Sequence, residues 1–212
     1  MGKSQVIKKI YKAANDYRNC FVGKTFMYIF GDKCVEVIFK KSSFLHLTGV
    51  KTNLNAEDFF NHAIKKKGLH PHEVQFDNNH PYDLANKKTE YLSDLFLITT
   101  SEVVIASDIV TKSYTYSLGL ANSKFVVCLG ENTGGDGKKL TECKVPYSFR
   151  IENIIDEKTQ VRKEIFPVTH ILKKKTGEKK YRTLLYGSRE TLIASLERSI
   201  EKSKECVLIE KD

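Results

Sequence analysis

Val6, Ile7, Ile10, Ala13, Ala14 and Tyr17 recur at helical spacing with lysines between them, which predicts an amphipathic helix over residues 4–19, Ser4 serving as its N-cap. After Gly23 the period shortens. The stretch KTFMYIFGDKCVEVIFKKSSFLHLTGV is a series of β-rich runs broken at GDK and KKSS, and it predicts a three-stranded antiparallel meander whose third strand carries His46. Asn53 or Asn55 can cap the next segment, AEDFFNHAIKKKGL. There Phe59, Phe60, Ala63 and Ile64 form an apolar stripe that Gly68 ends.

Residues 69–82 hold two prolines, three histidines and a DNN cluster, the composition of a loop. Leu84, Tyr91, Leu92, Leu95 and Leu97 predict a helix from Asp83 to about Thr100. Short strands follow at EVVIASDI, SYTYSLGL, KFVVCLG, YSFRIENI, VTHILKKK and KKYRTLLYG, with GENTGGDGKK as the loosest connection. A last amphipathic helix is expected from Ser188 to about Lys204, and CVLIEK beyond it reads as an edge strand able to pair between chains. Helices that open, interrupt and close a mostly antiparallel run of strands give an α+β fold, a curved sheet flanked by helices. No repeat or composition break divides it, so residues 1–212 are read as one domain.

Charge narrows the partners. Lys and Arg total 35 against 26 Asp and Glu, a net +9, which favours a polyanion such as RNA, DNA or an anionic membrane surface. No apolar run approaches the roughly 18 residues of a spanning helix, and no signal-peptide core opens the chain, so the expectation is a cytoplasmic protein without a membrane partner. Cys20, Cys34, Cys128, Cys143 and Cys206 are odd in number and scattered, against a disulfide framework or a zinc site.

Within FLHLTGV an extended reading puts Phe44, His46 and Thr48 on one face, with Gly49 allowing close approach beyond them. An imidazole there suits general acid or base work in metal-independent RNA cleavage, in which the 2′-OH is deprotonated and the leaving 5′ oxygen protonated. A hydrogen-bonded strand histidine would look the same. His170, on a late strand, is a candidate complementary acid or base. Arg150 is a candidate phosphate clamp, or else the partner of Glu152. Tyr114, Tyr116 and Ser117 offer stacking and hydroxyl contacts to RNA, or are simply alternate residues of a half-buried strand. Lys51, Lys88, Lys174 and Lys179 are candidate phosphate contacts. The lysines at 40–41, 65–67, 87–88, 173–175 and 179–180 would make a backbone-tracking groove only if they share one side. His70, His72 and His80 match no compact ligand signature, so no metal is assigned, and GENTGGDGKK lacks the order of a phosphate-binding loop, so no cofactor is expected.

FLHLTGV, with the FF-containing helix, KKTEYLSDL and SYTYSLGLANSKFVVCLG, resembles the fourth phage subgroup of the Barnase, EndoU, colicin E5/D and RelE-like nucleases over roughly residues 20–190. The resemblance implies a helix-flanked antiparallel sheet and metal-independent endoribonuclease cleavage leaving a 2′,3′-cyclic phosphate. It carries His46 and Thr48 into the site, and leaves the second catalytic residue open. Two further readings stand beside it. One is a non-catalytic phage protein that binds RNA or a host defence ribonucleoprotein, as an anti-CRISPR protein would. The other is an ADP-ribosyl transferase or toxin, with Glu36 or Glu102 as the activating acid. A structured RNA such as tRNA is the expected substrate by analogy with related folds.

Overall fold

The computed structural model describes residues 2–100, 102–111, 114–153 and 164–194 of the 212-residue chain. Helix α1 (Gly2–Cys20) buries Val6, Ile10, Ala13, Ala14 and Tyr17, the stripe its spacing predicts. Strands β1 (Lys24–Phe30) and β2 (Lys33–Ile38) form a hairpin in which Phe30 pairs with Lys33 across a two-residue turn.

The expected third strand is instead helix α2 (Ser43–Thr48), followed by Gly49 in the left-handed conformation at φ 74°. Phe44, Leu47 and Thr48 have i, i+3, i+4 spacing, and all three are buried while His46 is exposed. Six residues satisfy a period of two and a period of 3.6 almost equally well. The Phe44 ring decides between them by docking among Tyr17, Phe59 and Phe60 at centroid distances of 5.2, 6.4 and 5.4 Å.

Helix α3 (Ala56–Ala63) starts at Asn55, whose side chain accepts from the Asp58 amide at 2.8 Å. The predicted helix from Asp83 to about Thr100 is found as α4 (Tyr82–Tyr91) followed by a 3₁₀ helix, Leu92–Thr99. Strands β3 (Val104–Val110), β4 (Thr115–Ala121), β5 (Val126–Thr133) and β6 (Lys139–Arg150) then make an antiparallel meander. Much of GENTGGDGKK is drawn into the β5–β6 arm, leaving a tip at residues 134–138. Strand β7 (Ile165–Pro167), which the sequence pattern had not separated, precedes β8 (His170–Lys175) and β9 (Thr183–Tyr186). Residues 189–194 are helical, as expected after Ser188; the rest of that expected helix and CVLIEK lie outside the described residues.

The fold is α+β, with nine strands in the order β7-β3-β4-β5-β6-β2-β1-β8-β9. Every pairing is antiparallel except β2 with β6, where Val37 lies opposite Lys144. Only Val168 and Thr169 separate β7 at one edge from β8 near the other, so the sheet has to wrap. The Val168 amide donates to the Val103 carbonyl and the Thr169 amide to the Ile29 carbonyl, bringing the two edge regions to adjacent residues. The helices and one side of the sheet enclose the main core. A smaller apolar cluster, Ala106, Ile109, Ala121, Val126 and Cys128, occupies the other side of β3–β5.

Candidate functional site

Helix α2 follows the end of β2 and packs mainly on β6, which places His46 over that strand. Its imidazole stacks on Tyr147 with ring centroids 5.9 Å apart and planes 4° from parallel. The row continues through Tyr116, 6.3 Å from Tyr147, to Tyr114, 4.8 Å further on. Four rings, one on α2, one on β6 and two at the start of β4, therefore form a row across the β4–β6 region of the sheet. Tyr114 and Tyr147 are more than half exposed, so their faces are open to a stacking partner. Tyr147 sits where the β5–β6 register shifts between Cys128 and Leu129, and Gly130 lets its ring lie flat: a Cβ there would come within 2.8 Å of Tyr147 Cδ2.

Lys40, Ser42, Ser43, Glu131, Thr133, Val145 and Pro146 complete a cleft of about 120 Å³ beside His46 and Tyr147. Crowding by these neighbours withdraws water from the imidazole and lowers its pKa from the ordinary histidine value, although part of its surface remains exposed. The shift favours the neutral imidazole, the form that can accept a proton. Glu131 is held ionised, first by a hydrogen bond from Lys144, with Lys139 adding to the effect.

Cations stand behind the rings. Lys88 on α4 lies with its stem against Gly49, where a Cβ would come within 2.9 Å of Lys88 Cδ. Burial lowers its pKa, and the nearby positive charge of Arg150 lowers it further. Arg150 donates through Nε to Glu152 Oε1 at 2.8 Å and through a second nitrogen to Oε2 at 3.3 Å, the alternative to a free phosphate clamp. That pairing raises the guanidinium pKa, and its charge remains beside Tyr116.

Other expected residues lie elsewhere or have local duties. Thr48 is fully buried; its Oγ1 donates to the Leu45 carbonyl at 2.7 Å and accepts from the Val50 amide at 3.3 Å, so it fastens the end of α2. His170 is buried on β8, with Nδ1 3.0 Å from Thr169 Oγ1 and Nε2 2.9 Å from Thr191 Oγ1. Strands β2 and β1 intervene between β8 and β6, a lateral separation of about 14 Å at the usual strand spacing. The structure therefore does not bring His170 beside His46. Ser117 follows Tyr116 along β4 and falls on the opposite face. Lys51 pairs with Asp77 at 3.0 Å and Lys174 with Glu36 at 2.9 Å, while Lys179 is exposed in the β8–β9 connection. Among the loop histidines, His70 and His72 stack 5.6 Å apart and the buried Glu73 accepts from the His70 amide; no group of three ligand-type side chains converges among the described residues.

Tyr147 and Glu131 were missed in the sequence because they are far from His46 along the chain; Lys40 was noted only as one of the groove lysines. The only local signal was the aromatic and proline pair in VPYS, which the strand pattern absorbed.

Fold and site together define an α+β protein with a histidine at the end of a row of rings, with cations nearby. The chain belongs to the phage-Barnase-EndoU-ColicinE5/D-RelE like nuclease4 family, whose pattern matches residues 9–190, from within α1 through all nine strands. A nuclease-like function follows from that membership. No curated protein and no solved structure matches the chain. No helix among the described residues is long and apolar enough to cross a membrane.

Proposed function

We propose that this protein is a metal-independent endoribonuclease in which His46 removes the proton from a 2′-OH. The observation that carries the reading is the row His46–Tyr147–Tyr116–Tyr114, because a neutral imidazole at the end of stacked rings can meet the ribose of a base lodged on them. The 2′-OH gives its proton to His46 as its oxygen bonds to phosphorus and the P–O5′ bond breaks; the leaving 5′ oxygen takes a proton from water, giving a 2′,3′-cyclic phosphate and a 5′-OH. Lys40, in the same cleft, faces the charge that develops on the phosphorane. Arg150 and Lys88 add positive potential behind the rings. An unpaired stretch, as in a tRNA loop, fits a platform that takes bases one by one.

Incubating wild type and His46→Ala with total cellular RNA in chelator tests this reading. Cleavage with cyclic-phosphate ends, reduced in the variant by about 10²- to 10⁴-fold, is the expected result. Equal cleavage by both proteins would remove His46 from the chemistry.

A second reading, a non-catalytic RNA- or ribonucleoprotein-binding phage protein, has one observation in its favour. His170 is remote and Glu131 is engaged by Lys144 and Lys139, so the proton donor to the leaving oxygen has no dedicated residue among those described. Bound RNA that stays intact with wild type would select it.

A further inference from the structure

Three clefts follow one another along a single margin of the sheet. The first is a recess of about 450 Å³ under the β8–β9 connection, lined by Lys24, Lys173, Lys175 and Arg182, with Glu178 the one carboxylate in its wall. The second, of about 310 Å³, runs from Gly23 and Thr176 past Phe39 to Lys40, Lys41 and Ser42, with Glu57 at its side. The third is the His46 cleft, which shares Lys40 and Ser42 with the second. Gly23 and Thr176 adjoin Lys24 and Lys175 in the chain, so the first and second meet there. The register places all three together: Lys24 lies opposite Lys175, Thr25 opposite Ile38, and β6 runs parallel to β2 toward Tyr147.

Salt bridges do not neutralise the charge along this line, although the Lys24 ammonium donates to the Asn19 and Cys20 carbonyls at the end of α1. Among the described residues none of Lys24, Lys173, Lys175, Arg182, Lys40 or Lys41 forms a salt bridge, whereas neighbouring Lys174 is paired with Glu36. Lys24 and Lys175 face each other directly across two strands, an arrangement that costs the folded state. Burial lowers the Lys24 pKa, and the charge of Lys173 lowers it further. Like charges held this close, with Glu178 and Glu57 in the walls but not bridged to them, leave a positive surface that favours an incoming anion.

We propose that the three clefts form one track for single-stranded RNA, with the phosphodiester backbone held at Lys24, Lys173, Lys175 and Arg182, passed over Lys40 and Lys41, and led to His46. The delivery end of the track rests on the ribonuclease reading; the binding itself does not. Single-stranded RNA is favoured over duplex because the track ends on exposed rings, which only unpaired bases can stack against.

The test uses full-length His46→Ala protein and a fluorescein-labelled twelve-nucleotide single-stranded RNA, read by anisotropy across a salt series, so cleavage plays no part. Adding Lys24→Gln and Lys175→Gln should weaken binding about tenfold. The same pair should reduce the slope of log affinity against log salt by about 1.4, two single-strand phosphate contacts. A control that removes equal charge elsewhere, Lys66→Gln with Lys67→Gln, should leave the slope nearly unchanged. Thermal melting checks the fold, because Lys24→Gln also removes the hydrogen bonds from the Lys24 ammonium to the Asn19 and Cys20 carbonyls at the end of α1. Equal slopes for track and control variants would overturn the track, as would equal affinity for a duplex of the same length. Loss of binding in the track variant, alongside a wild type that cuts no RNA, would uphold the track and remove the ribonuclease reading.

Discussion

Glu36→Gln takes one negative charge out of a group that holds three donors. Lys174 Nζ donates to Glu36 Oε1 at 2.9 Å, the Tyr181 hydroxyl donates to the same oxygen, and Cys143 Sγ donates to Oε2 at 3.3 Å. The Lys174 ammonium also lies 4.4 Å from the centre of the Tyr181 ring. Glutamine keeps one acceptor oxygen and replaces the other by a donor that faces the thiol, and it leaves the ammonium without a counter-charge. The side chains of Glu36 and Lys174 are 30% and 14% exposed, so the pair stands between two limits. Open surface pairs contribute about 0–1 kcal/mol, and breaking a fully buried pair costs about 3–5 kcal/mol. A loss of about 2 kcal/mol follows, which for a chain of this size is a fall of about 4–8 °C in Tm. Urea unfolding should show a lower midpoint with an unchanged slope. If the stranded ammonium is the cause, Lys174→Met on the Glu36→Gln background should restore about half of the loss. Burial raises the Glu36 pKa, but the hydrogen bonds from Lys174, Tyr181 and Cys143 together outweigh it and leave the carboxyl below the ordinary glutamate range. Its stabilisation is therefore complete above the unfolded pKa and is lost as pH falls through the lower folded value. The gap between wild type and variant should close below about pH 4. A Glu36→Gln protein within about 0.5 kcal/mol of wild type at pH 7 would refute this account.

Two further outcomes concern the site. Because desolvation lowers the His46 pKa, the acid limb of a cleavage pH profile should have its midpoint below about 6.5, the free-histidine value, with activity rising as the imidazole deprotonates; a midpoint above that value would contradict the role of base. Gly130→Ala forces a Cβ to within 2.8 Å of Tyr147 Cδ2, so the ring must leave its stacked position. RNA affinity should fall by about tenfold, in line with about 1–3 kcal/mol per stacked base, and unchanged affinity with a displaced ring would remove Tyr147 from the interface.

Much of the fold was legible because its signals are local. The α1 stripe, the β1–β2 turn, the Asn55 cap and the strands from β3 to β6 each lie within a dozen residues of the letters that specify them. FLHLTGV misled because a six-residue element carries too few periods to separate helix from strand, and its β-rich neighbours pulled the reading toward a strand. The candidacy of His46 does not depend on the element, since α2 presents it outward just as a strand would have done.

The sequence by itself determined the basic charge, the α+β class with most of its helices and strands, and the family. Only the tertiary structure decided which residues share a site with His46. Stacking of His46 on Tyr147 and of Tyr147 on Tyr116 depends on α2 docking by Phe44, on a register shift at Leu129 and on the parallel β2–β6 pair. The order of strands keeps His170 two strands away and brings Lys24, Lys175, Lys40 and His46 near one another. Hydrophobic periodicity records which side of an element is buried. It does not record which distant element that side meets, because that choice is made by packing and register over separations of a hundred residues.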